Sequence, residues 1–392
     1  MTREISTADE PVPVVLIGLI LTLGVLTGAQ LGKIAPLIPW YTEDLGFSLI
    51  SAGWLAAMLG VFIALSALPA GWLIDRVGLR NSIAAGVLAL TIGGAWLSIS
   101  VDHGAIFAAR TVEAIGYLAL CIALPACLDA VSPPRWKAPV LAIWSGFVPL
   151  GFALSDFLAA MVLALHGPET FLQIITGIFL LLSVAVILLL QRRQVTPVAG
   201  DTGTMRATLS RQVVLLAISF GAFVIVSVSM FTFMPSFVAG EGSHYLLGAG
   251  AVALCVPLGN ILASVLVVGR RPQYMAGLAA AGFVVSAIAA IPAFVMHDPA
   301  IATIAALALA ISGAFVASAQ FAAIPFSTPS GGSVAVVFGL VSQAGGIATV
   351  FGPPVAAWIV ETYSWSGLGY FLALVSAVGV VTMLPLTRTV SR

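Results

Sequence analysis

The chain has 392 residues, 60% of them hydrophobic and 8% charged, with fifteen Lys and Arg balanced by fifteen Asp and Glu. A mean hydropathy of +1.14 excludes a water-soluble globular surface and places the protein in a bilayer. Zero formal net charge says little about partners because the charges are sorted by side; the bilayer is the expected one, and no nucleic acid is.

Apolar runs long enough to cross a hydrocarbon core of roughly 30 Å as helices recur along the whole length. They predict twelve spans, at approximately 14–40, 48–73, 82–101, 105–130, 139–165, 170–190, 212–238, 246–268, 272–295, 299–325, 334–360 and 364–386. The runs are apolar all round rather than alternating, which rules against a membrane barrel. The first run is too long for a removable signal peptide and lacks a small-residue cleavage site, so it is expected to remain as a helix.

With both termini cytoplasmic, Arg3, Arg76, Arg80, Arg135, Lys137, Arg192, Arg193, Arg206, Arg211, Arg270, Arg271, Arg388 and Arg392 all fall on one side, as positive residues in short cytoplasmic loops should. The opposite loops carry Glu43, Asp44, Asp102, His103, His166, Glu169, Glu241, His244, His297, Asp298 and Glu361. The one long polar connection, about 191–211, splits the chain into six-helix halves, 1–190 and 212–392. The expected fold is therefore all-α and integral to the membrane: twelve transmembrane helices in two pseudo-symmetric bundles around a central cavity.

Between the second and third spans stands Gly71-Trp-Leu-Ile-Asp75-Arg76-Val-Gly78-Leu-Arg80. This G-x-L-x-D-R-x-G-x-R pattern resembles the loop signature of the major facilitator superfamily. Asn81 departs from it, where many members place a second basic residue. Arg110-Thr-Val-Glu113-Ala-Ile-Gly116 and Gly352-Pro353-Pro354 are similar to two further segments of that family. Gly32 to Trp54 and Gly146 to Asp156 look like members grouped with cyanate or nitroimidazole permeases.

The loop reads as a conformational gate. Gly71 permits close helix approach and Gly78 a sharp turn, while Asp75 is suited to accept N–H groups at a helix N-terminus. The resemblance makes that helix span eleven, starting near Val334. Asp129 is expected to pair with Arg76 or Arg80.

Four charges fall inside spans: Lys33, Arg110, Glu113 and Asp156. Intramembrane charges cost ~3 kcal/mol or more each and mark function by default. Arg110 and Glu113 share a helix face, and Lys33 and Asp156 are expected to reach them from neighbouring helices. The expected role is proton coupling and substrate binding, with Glu113 or Asp156 titrating; the competing role is a salt-bridge network that packs the first half.

The second half has no charge inside a predicted span. The family resemblance implies that spans one, four, seven and ten line the cavity, which selects Ser227, Ser229, Met230 and Gln320. Asn260 and Gln343 read as interhelical hydrogen-bond partners. Met230 and Met234 at i, i+4 suit packing better than copper transfer. Cys121, Cys127 and Cys255 lack metal-site spacing, and Ser330 to Ser333 is no phosphate loop, so neither a metal nor a cofactor is expected. The sequence thus predicts a monomeric secondary transporter of the bacterial inner membrane, moving a small organic or inorganic anion with protons. Efflux of hydrophobic drugs and a non-transporting receptor are the alternatives; an enzyme is not expected.

Overall fold

The computed structural model describes residues 13–192, 208–239 and 245–388. Arg3, Arg193, Arg206, Glu241, His244, Arg392 and most of the 191–211 connection lie outside the described residues. Among the described residues every regular element is helical: α1 (Val14–Gly32), a 3-10 turn at Ala35–Leu37, α2 (Ile38–Glu43), α3 (Leu49–Val77), α4 (Leu79–Leu97), α5 (His103–Val131), α6 (Pro134–Trp144), α7 (Phe147–Arg192), α8 (Arg211–Ala239), α9 (Ala249–Leu266), α10 (Pro272–Val295), α11 (Pro299–Ser327) and α12 (Val334–Arg388).

Eight helical stretches among the described residues are long and apolar enough to cross a membrane, fewer than the twelve spans expected. Two of the eight are double-length, and each is interrupted by one residue with non-helical backbone: Gly167 (φ 75°) in α7 and Ser364 (φ 64°) in α12. The third and eighth expected spans correspond to α4 and α9 and are not among the eight; α4 opens with the polar Arg80-Asn81-Ser82.

The first span is also broken where a continuous helix was expected. Pro36 has no N–H to offer the carbonyl of Gly32, and its ring crowds the preceding turn. The α-helix therefore stops at Gly32, and a 3-10 turn leads into α2. Elsewhere the polar residues between spans serve as caps. Asp102 accepts from Ala105 N (2.9 Å) at the start of α5, and Asp298 from Ala300 and Ile301 N (3.0 and 2.9 Å) at the start of α11, where a negative charge also favours the helix dipole.

The chain on either side of 193–207 meets along α3 and α12. Gly71 lies against Ala335 and Val336, Gly339 against Ala67, and Gly346 against Ala64. Small residues at these positions bring two backbones into contact, the usual device of packing in lipid. A Cβ at Gly71 would lie 3.1 Å from the Val336 Cα, so no larger residue fits without moving a helix.

Candidate functional site

Lys33, Arg110 and Glu113 form one sealed cluster, each with no accessible side-chain surface. Lys33 and Arg110 both pair with Glu113, one on each carboxylate oxygen, and the Arg110 Nη1–Glu113 Oε2 distance is 2.7 Å. The break after α1 supplies the remaining acceptors. The last carbonyls of a helix have no intrahelical partner, and Arg110 donates to Gln30 O (2.9 Å) and Leu31 O (3.3 Å), and to Leu55 O of α3 (3.2 Å). Lys33 donates to the Gln30 side chain (2.7 Å), which itself reaches Ile175 O (3.4 Å). Gln30 is the cluster member that sequence reasoning missed; its place three residues before Lys33 was the available signal. Glu113 fits because α4 presents Gly93 and Gly94 to it.

Asp156 does not join this cluster. It is exposed on α7, and among the described residues its carboxylate makes no ion pair or hydrogen bond. Glu113, not Asp156, neutralises Arg110. Asp156 stands one helical turn beyond Phe152, which packs on Gly32, so it lies near the depth of the cluster without making contact with it. Phe157, Met161 and Leu165, all exposed, take the neighbouring face of α7.

In the second half, Ser227 is half-buried beside Gly313 of α11. Ser229 is fully buried near Gly352, and its hydroxyl has no partner. Met230 and Met234 belong to an apolar core that includes Phe237, Phe294 and Leu309, as packing residues do. Gln320 donates to Ser219 Oγ of α8 (2.5 Å). Its Oε1 is unpartnered, and the side chain lines a small cavity of about 60 Å³ walled by Leu216, Met275, Ala279 and Met383. Gln320 thus looks into its own helical set rather than across the interface.

Of the gate residues, Gly71 makes the close approach described above and Gly78 makes the turn, at φ 89° between α3 and α4. Two expectations are corrected. Ser333, not Asp75, caps α12, accepting from Val336 N (3.3 Å), and Asp75 is half-buried without a hydrogen bond or ion pair among the described residues. Asp129 pairs with Lys137 of α6 (3.0 Å), which comes from the next helix and is closer at hand than the loop arginines. Arg76 stacks on Trp72 (3.8 Å to the ring centre), and Arg80 is exposed.

The side chains that do bridge the interface among the described residues are neutral amides and hydroxyls. Gln343 of α12 donates to Ala64 O (3.0 Å) and accepts from Leu68 N (3.1 Å), the two groups that a regular turn of α3 would pair with each other. Its carboxamide is spliced into α3 one residue before Pro69. Asn260 of α9 accepts from Ser318 (3.1 Å) and Ser145 (3.4 Å), and Ser318 also donates to Ala142 O (3.2 Å). All these contacts lie in the half of the bundle nearer Arg76, Arg135 and Arg270.

Membrane-crossing helices around a sealed intramembrane charge cluster define a multi-pass integral membrane protein. The family model for the Major Facilitator Superfamily matches residues 19–330, and the chain belongs to that superfamily of transporters. The arabinose-proton symporter of Escherichia coli (strain K12) is 24% identical over 132 residues, 34% of this chain and 28% of that relative, so the match spans under a third of its length. The fold is shared with the human organic anion transporter MFSD10 (TM-score 0.73, 15% identity, 95% of this chain and 100% of that one). It is shared too with the E. coli fucose:proton symporter FucP (0.77, 14%, 97% and 100%) and the proton:xylose symporter XylE (0.70, 16%, 95% and 94%). The chain is thus a secondary transporter by family and fold, not an enzyme.

Proposed function

We propose that the protein carries a small solute across the bacterial inner membrane by alternating access, driven by protons. In this reading Gly167 and Ser364 divide the double-length helices, giving twelve spans in bundles 1–190 and 212–392 joined by 191–211, with both termini cytoplasmic and the chain acting as a monomer. Within the family the likeness of Gly32 to Trp54 favours the cyanate or nitroimidazole permease-like group. The observation that carries the coupling role is the contrast among the four intramembrane charges. Lys33, Arg110 and Glu113 are sealed, whereas Asp156 is exposed and unpaired, so Asp156 is the group able to exchange a proton with an open pathway.

The solute class we favour is a small anion. Two cations against one carboxylate leave an unbalanced positive charge at the depth of Asp156, and a low-dielectric wall transmits its field into the cleft. The interfacial contacts gathered near the basic loops support a pathway closed on that side and open on the other. The human organic anion transporter among the structural relatives is consistent with the anion reading; the proton symporters support the coupling.

The test is uptake into proteoliposomes under an imposed pH gradient, with panels of small carboxylates and inorganic anions, neutral sugars and cationic drugs. The expected result is gradient-driven accumulation of an anion, and an Asp156→Asn variant that retains exchange but loses accumulation. Movement of only cationic drugs would replace the anion with efflux of hydrophobic compounds. Indifference to the pH gradient, or normal accumulation by Asp156→Asn, would remove the proton role.

A further inference from the structure

A second charged site lies at the basic end of the C-terminal helices, where the α9–α10 connection meets the end of α12. Gly269, at φ 63°, turns the chain sharply so that Arg270 and Arg271 follow α9 and Pro272 opens α10. With Gln273, Tyr274, Thr387 and Arg388 they border an open depression of about 620 Å³.

Three arginines and no carboxylate line this depression. The three ion pairs among the described residues involve Glu113 and Asp129 only, so Arg270, Arg271 and Arg388 have no carboxylate partner there. Arg270 is steadied over the Tyr274 ring (5.1 Å). The N-terminus of α10 has no side-chain cap and adds its positive dipole end to the same space. Clustered like charges repel, and an anion among them relieves that repulsion.

The flanking surface identifies the source of that anion. Leu258, Leu262 and Val265 on α9 and Val381 and Leu384 on α12 are 62%, 57%, 64%, 67% and 46% exposed, giving two apolar strips that run along the spans toward the arginines. Exposed Tyr274 stands where aromatic side chains gather at the membrane interface. We propose that this depression binds the phosphate of an anionic phospholipid, whose acyl chains lie on those strips. Basic pockets at span ends are suited to such headgroups, and planar guanidiniums match phosphate oxygens two at a time.

The experiment is native mass spectrometry of the delipidated full-length protein in detergent, offered equal amounts of phosphatidylglycerol and phosphatidylcholine. The expected result is preferential retention of phosphatidylglycerol, falling roughly fivefold for each arginine removed in Arg270→Gln, Arg271→Gln and Arg388→Gln, singly and together. Arg135→Gln, a basic exposed residue away from the depression, should leave the preference unchanged. Thermal unfolding checks each variant; if the triple variant fails to fold, the single variants carry the test. A preference that survives all three substitutions, or falls equally with Arg135→Gln, overturns the site. Displacement of phosphatidylglycerol by millimolar inorganic phosphate or glycerol phosphate would assign the depression to a soluble anion and overturn the lipid.

Discussion

Replacing Gln343 by Leu should loosen the interface between α3 and α12 at the basic end. The substitution removes two hydrogen bonds, to Ala64 O and from Leu68 N, at similar side-chain volume. Those two backbone groups are four residues apart and free to pair with each other once the amide is gone, so α3 is not left with buried orphans. The cost therefore falls on the association of the two helices, not on α3 itself. Two bonds at ~0.6–1 kcal/mol each give about 1–2 kcal/mol, a shift of roughly 5–30-fold toward the conformation in which the helices part. The glycine contacts at Gly71, Gly339 and Gly346 remain, so the closed form persists. The assay is the distance between spin labels at Leu73→Cys and Ser330→Cys, both at exposed positions. Cys255 is replaced by Ser, while Cys121 and Cys127 are buried. A longer-distance population should grow severalfold in Gln343→Leu and less in Gln343→Asn. Unchanged distance distributions would refute the splice as an interfacial latch.

Gly71→Leu should shift the same label distances further than Gln343→Leu, because the side chain must displace α12. Gly78→Ala should cost ~1–2 kcal/mol, since its φ of 89° is unfavourable for any residue with a Cβ; thermal unfolding in detergent reads it. Arg110→Met should destabilise by about 2–6 kcal/mol, because the Glu113–Lys33 pair stays balanced but the Gln30 and Leu31 carbonyls at the end of α1 are orphaned at ~1–3 kcal/mol each, and an unchanged melting temperature would contradict the network. Glu113→Gln should destabilise comparably by facing Lys33 with Arg110 uncompensated, and adding Lys33→Met should restore part of the loss, whereas additive losses would show that the two residues do not interact.

The pairing of Arg110 with Glu113 was legible because three residues along a helix is a fixed geometry. The turn at Gly78 and the helical spans were legible for the same kind of reason: each depends on local chain chemistry. The place of Asp156 was not. A span that is apolar on every side carries no signal of its rotation about its own axis, so sequence cannot say whether position 156 faces α1 or the opposite set. Gln320 fails in the same way. It sits on the expected span, but the rotation of α11 turns it toward Ser219 and an internal cavity. The break in the first span follows from Pro36, which is local chain chemistry. Its consequence, carbonyls released to Arg110, depends on which helix stands opposite, and no run of residues encodes that.

The polar groups divide by what each interface must do. Among the described residues the ion pairs all lie in the N-terminal set: Lys33, Arg110 and Glu113 join α1, α3 and α5, and Asp129 with Lys137 joins α5 to α6. Between the sets, contact rests on small residues with Gln343 and the Ser145–Asn260–Ser318 group. Separating a buried ion pair leaves charges uncompensated at about 3–5 kcal/mol, whereas parting neutral amides and hydroxyls costs ~1 kcal/mol per bond, and each can turn to a backbone partner or to water. Under the proposed alternating access, an interface that opens and closes in every cycle has to be held by bonds of the second kind. A surface of that kind is adequate to define the closed state without trapping it, and in the same proposal the ion triad ties α1, α3 and α5 into one moving body.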